Sequence, residues 1–154
     1  FTAAVGALPL RDRGLGEIIY DGRKDGGKYG CTLNILATSK FAKQYPETLQ
    51  KLVTTLVKER IWSTDPNNFA EVTRHWGKSG YAARYYREEY EGANLRQRFS
   101  PLLDDYLRDR FKLDVEESHK LRLIRKPFDV DAWFDDQYIK RAFIELGITD
   151  DYWK

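Results

Sequence analysis

From residue 46 onward the chain repeats apolar side chains every three or four positions. Leu49, Leu52, Val53, Leu56, Val57, Ile61 and Trp62 fall on one stripe and predict an amphipathic helix. Pro46 stands where its first residue would be, a place where a missing N–H costs nothing. Before that point the period is different. Residues 17–20 (EIIY) form a short β-like run stopped by Asp21-Gly22, with a second turn signal at Asp25-Gly26-Gly27. Residues 31–37 (CTLNILA) alternate in part and carry β-branched side chains, as a strand buried on at least one face would. Ser39 is placed to cap a short helical turn between these regimes.

The helical period continues to the end of the chain. Asp65-Pro66 predicts a capped start for a helix through Phe69, Val72, Thr73 and Trp76, closed by Gly77. Ser79 opens a third helix with Tyr81, Tyr85 and Tyr90 on one face, closed by Gly92. Ser100-Pro101 starts a fourth carrying Leu102, Leu103, Tyr106, Leu107 and Phe111, with the pattern resuming after Asp114 through Leu121. Pro127 breaks the chain, and a last helix runs from about Asp135 to Gly147. Two short strands followed by roughly five helices predict an α/β protein with a helix-rich C-terminal portion. No internal repeat or low-complexity segment appears.

Composition narrows the function classes. Apolar residues at 42% and aromatics at 14% supply a core, which sets disorder aside. Lys+Arg 26 against Asp+Glu 24 nearly cancels, so no global field gathers nucleic acid, and none is expected as a partner. The longest basic run, residues 120–126 (KLRLIRK), alternates with leucines and isoleucine as a half-buried helix end or strand does. One cysteine excludes an internal disulfide and a cysteine-built zinc site; His75 and His119 lie too far apart to make a metal motif. No cofactor is implied. No apolar stretch is long enough to span a bilayer, and the chain opens at Phe1 without a methionine anywhere, as a fragment or processed subunit would.

The order of these elements, with particular residues, resembles the C-terminal part of the sulfonate, nitrate and taurine type of periplasmic solute-binding protein, a group that includes thiamine-pyrimidine-precursor binders. The matching runs are residues 33–47 (LNILATSKFAKQYPE), Ile61-Trp62 with Asp65-Pro66-Asn67, and residues 123–135 (LIRKPFDVDAWFD), followed by Glu145-Leu146-Gly147. The resemblance spans about residues 14–153. It implies a two-lobed type II periplasmic-binding-protein fold with a small anionic organic solute, a sulfonate, carboxylate or related compound, held between lobes for ABC-type uptake. Residues 1–38 would then be a strand-bearing segment crossing between lobes and residues 39–154 a helical portion, with the upstream lobe supplied by the rest of the protein or a companion chain. Such a receptor is periplasmic or extracytoplasmic. The aromatic sulfinate desulfinase is similar over residues 90–104, which keeps open an enzyme, cytoplasmic in that case, that cleaves a carbon–sulfur or related bond in an aromatic acid. Five amphipathic helices with two short strands would leave apolar faces uncovered, so this piece alone is expected to fold poorly.

Candidate site residues follow from chemistry. Cys31 is the one possible nucleophile, but a reactive thiol needs a neighbouring cation or base, and a small cleft-lining residue is the simpler reading. Tyr29, Thr32 and Asn34 flank it and could donate hydrogen bonds to an oxyanion, against ordinary strand-end packing. Arg96 and Arg98, in a loop preceding a helix, could clamp an anion bidentately, against surface pairing with Asp104 or Asp105. Tyr81, Tyr85, Tyr86 and Tyr90 could stack an aromatic ligand, against forming a core stripe. Asp135-Asp136 reads as a helix cap before it reads as an acid/base pair.

Overall fold

The computed structural model describes residues 3–22 and 34–154. Among these residues it is helical, and they divide into two compact units, one built on residues 1–34 and Arg60–Phe99, the other on Ile35–Glu59 and Ser100–Lys154.

Unit one contains α1 (Ala4–Asp12), α4 (Phe69–Trp76), α5 (Ala83–Tyr90) and α6 (Leu95–Arg98), together with the last turn of α3 (Pro46–Ser63). Helix α1 is a helix that the sequence pattern did not predict. It carries Gly6 and an internal Pro9 and has no side-chain cap, which are poor local signals. Docking stabilises it. Leu8 is buried, and Arg11 reaches Glu88 of α5 at 2.6 Å while also holding Asp12 at 2.7 Å. Helices α4 and α5 pack closely because Gly77 has no side chain there: a Cβ would meet the Ala83 nitrogen at 3.1 Å and its Cβ at 3.2 Å. Val72, Thr73, Tyr85 and Leu95 make the buried face, with Ser63 and Thr64 at the end of α3.

Unit two contains α2 (Ser39–Gln44), most of α3, α7 (Asp105–Lys120), α8 (Val130–Trp133) and α9 (Gln137–Leu146). The apolar stripe read from residue 46 is α3, with Leu49 and Val57 buried and Leu52 left half-exposed. Helix α9 ties back to it: Gln50 donates to the Tyr138 carbonyl at 3.0 Å, Thr54 donates to Glu145 at 2.7 Å, and Arg141 forks onto Glu47 at 2.9 and 3.0 Å. Gly147 ends α9 in the left-handed conformation (φ 67°), with the Ile148 amide returning to the Phe143 carbonyl. On the other side, Arg108 donates to the Leu103 carbonyl, covers the Phe134 ring and faces Asp131 at 3.6 Å, while Lys112 holds Asp131 at 2.9 Å. Phe111, Phe128, Trp133 and Phe134 form a ring cluster along α7 and α8.

Several boundaries differ from the pattern's prediction. No strand is present among the described residues: residues 17–20 and 34–37 are irregular, with Ile19 96% exposed, and residues 31–33 lie outside the described set. A β pattern becomes a strand only when a neighbour completes its hydrogen-bond ladder, and no such ladder is formed among the described residues. Thr38, not Ser39, caps α2 by accepting from the Phe41 amide. Ser79 sits in a 3-10 turn with its hydroxyl 2.7 Å from that of Tyr86, and α5 starts at Ala83. Helix α7 begins after Asp104, whose carboxylate accepts from the Leu107 amide, rather than at Ser100-Pro101, and it runs unbroken past Asp114. The short α6 and α8, capped by Asn94 and Asp129, were not anticipated.

Candidate functional site

Of the predicted donors, Tyr29, Cys31 and Thr32 lie outside the described residues. Asn34 is exposed and makes no hydrogen bond among the described residues. The two arginines are placed more informatively. They are not in a loop but on α6, where the Asn94 side-chain Oδ1 accepts from the Gln97 amide at 3.3 Å and Leu95 is buried beneath. With Leu95 anchored, Arg96, Gln97 and Arg98 are turned outward and exposed. One helical turn thus presents two guanidinium groups, each able to give an oxyanion two parallel hydrogen bonds.

Immediately beyond Arg98 the chain enters a cluster of rings. Phe99 lies 5.1 Å from Tyr90 and 5.6 Å from Trp76, and Trp76 in turn lies 5.5 Å from Tyr90 and 5.7 Å from Tyr86. The Arg60 guanidinium sits over Phe99 at 5.1 Å, a cation held against a ring face. Burial pushes the Tyr90 hydroxyl up to about 12, with Glu89 adding to the shift and the Arg98 charge opposing it. Arg98 is therefore close enough for its field to be felt at Tyr90. A hydroxyl so held stays protonated near neutrality and can donate a hydrogen bond, not abstract a proton. The described part of this region offers donors and ring faces, an equipment for binding.

The tyrosine stripe divides by role. Tyr85 is buried, and its hydroxyl accepts from Arg84 at 2.7 Å and contacts Asp12, so it locks α5 to α1. Tyr86 and Tyr90 join the rings around Trp76, and Tyr81 is half-exposed. Sequence reading did not place Arg60, Trp76 or Phe99 here. Phe99 could have been found, since an aromatic following two outward arginines reads as an inward anchor. Asp135 accepts from the Gln137 amide at 3.2 Å, whereas Asp136, at the cap position of α9, makes no cap hydrogen bond and pairs with Lys140 at 2.7 Å. No group of three or more metal-ligating side chains occurs among the described residues.

No family model matches this chain, and neither does any curated protein. A solved structure does: the chain is similar to a protein of Methylobacillus flagellatus KT described as the periplasmic sulfonate-binding protein SsuA of a sulfonate ABC transporter. The two are 28% identical with a TM-score of 0.81 over 94% of this chain and 44% of that one. The chain therefore spans less than half the length of that protein, and the similarity is consistent with its being a C-terminal part of such a protein. Its helix-rich fold matches a periplasmic-binding-protein fold, and no helix among the described residues is long and apolar enough to cross a membrane.

Proposed function

We propose that this chain forms part of an extracytoplasmic receptor that holds a small anionic organic solute, a sulfonate or a carboxylate, between two lobes for ABC-type uptake. The observation that carries this reading is the similarity to the sulfonate-binding protein over nearly all of the chain. In the same reading, residues 1–38 cross between lobes, residues 39–154 form the helical portion, and the remaining part of the protein or a companion chain completes the pocket. The solute's oxyanion meets the donors of residues 29–34 (Tyr29, Thr32 and Asn34), with Cys31 as a small lining residue. Arg96 or Arg98 approaches from α6, and neutral Tyr90 stands beside them.

A charged hydrogen bond lost from such a contact costs about 1.5–3 kcal/mol, or roughly tenfold to a hundredfold in affinity. Calorimetric titration of the whole protein with a small organic sulfonate, before and after Arg96→Ala and Arg98→Ala, is expected to show that loss in at least one variant. Unchanged affinity in both would remove the arginines from the site, and no heat with the parent protein would remove sulfonate as its ligand.

A further inference from the structure

The basic run at residues 120–126 is not half-buried as its alternation suggested. Leu121 is 68% and Leu123 74% exposed, at the tip of the turn that closes α7. The turn is tightly specified: the Arg122 amide donates to the His119 carbonyl and the Leu123 amide to the Ser118 carbonyl, a double closure that puts Arg122 in the left-handed region at φ 59°. Glycine adopts that conformation freely, as Gly147 does at the end of α9; an arginine does so against its own Cβ. The charges are uneven. Lys120 is held by Glu116 at 2.8 Å and Glu117 at 3.0 Å, Lys112 is held by Asp131, and the Asp129 carboxylate accepts from two amides of α8. Arg122, Arg125 and Lys126 have no carboxylate within ion-pair distance among the described residues. Phe128 and Trp133, half-exposed and edge-to-face at 5.6 Å, extend the apolar surface, which continues into a shallow groove floored by Val115 and Val130.

We infer that the turn at residues 121–128 docks on an anionic bilayer surface, its leucines entering the headgroup boundary while Arg122, Arg125 and Lys126 engage lipid phosphates. Protruding apolar side chains interleaved with uncompensated cations, with aromatic rings at the margin, suit a soft negatively charged interface. A protein partner would need a fixed counter-arrangement for the two leucines, whereas lipids move laterally to bring their phosphates to the guanidinium groups. This goes beyond solute binding and does not depend on it.

The test is co-sedimentation of the whole protein at low salt with two vesicle types, phosphatidylcholine alone and equal parts phosphatidylcholine and phosphatidylglycerol. Binding is expected on the anionic vesicles alone. It should fall on the order of a hundredfold in the triple variant Arg122→Gly, Arg125→Gln, Lys126→Gln, at roughly fivefold per cation. Glycine keeps the turn at residue 122 without the strain of a Cβ, so the triple variant should melt no lower than the parent does. A second variant, Leu121→Ser with Leu123→Ser, should bind more weakly yet keep the preference for anionic lipid. Equal binding to both vesicles, a triple variant that binds like the parent, or no binding to either vesicle would overturn the inference; the last would hold even if Arg122 cross-linked to a protein.

Discussion

The two compact units are held together by different chemistry. In unit one, α1, α4 and α5 lack side-chain caps, at Ala3, Asn68 and Ala82; the rings around Trp76 join α4 to α5, and Arg11 joins α1 to α5 through Glu88. In unit two, Thr38, Asp104 and Asp129 satisfy orphan amides at the starts of α2, α7 and α8, while charged and amide hydrogen bonds tie α3 to α9. Ring packing is non-directional and fails when volume is lost; caps and forked ion pairs are directional and fail when charge is lost. In both units the starts of the longer helices lie within a few residues of where the sequence pattern put them, whereas α1, α6 and α8, whose local signals are weak or short, were missed.

Removing volume should separate the units most sharply. Trp76→Ala deletes one partner of three ring contacts and is expected to cost about 3 kcal/mol, read as a fall in the denaturation midpoint. Loss of amide protection should be concentrated in α4 and α5, and an even loss across both units would break the comparison. Cap exchange is a smaller effect. Asp104→Ala should destabilise by about 1 kcal/mol, and Ala82→Asp, at an exposed residue already in extended geometry, should stabilise by about 0.5–1 kcal/mol. A neutral outcome at residue 82 would mean that the rings already fix the start of α5.

The finest distinction is in pH. In unit two, Arg141 holds Glu47, Lys112 holds Asp131 and Lys140 holds Asp136 below the ordinary carboxylate range. A depressed native value contributes stability above the unfolded value, near 4 by the usual ~3.9 for Asp and ~4.3 for Glu, and that contribution is lost as pH falls through the native value. In unit one, Tyr90 is pushed up to about 12, so its contribution is complete below about 10 and is lost as pH rises toward about 12. In unit one, Asp12 beside Arg11 is held down in this way. Amide exchange is expected to show α9 loosening first in acid and α5 first in alkali; the reverse order would contradict these assignments.

What could be read from the sequence follows a division between local and distant causes. The stripe of α3, the Pro46 start and the Gly147 stop are local signals, and local physics decides them. Helix α1 depends on Arg11 meeting Glu88, seventy-seven positions away, which no local window contains. The β pattern of residues 17–20 was a statement about a partner that the described residues do not include. At the candidate site, the pattern selected Arg96 and Arg98 by residue type, but their exposure on a helical turn comes from Asn94 and Leu95, a cap and an anchor too short to register as a helix.

The pairing of α3 with α9 also bears on how the chain is made. Glu47 and Arg141 are 94 positions apart, and Thr54 and Glu145 are 91 apart. On a ribosome, α3 emerges long before α9, and its contacts with α9 cannot form until residues 60–136 have been synthesised. Unit one needs no residue beyond Phe99 and can close first; unit two is topologically obliged to close last, across a loop whose entropy must be overcome before any contact rewards it. During that interval the side of α3 that α9 later meets lacks this partner and is open to chaperone capture or misassociation.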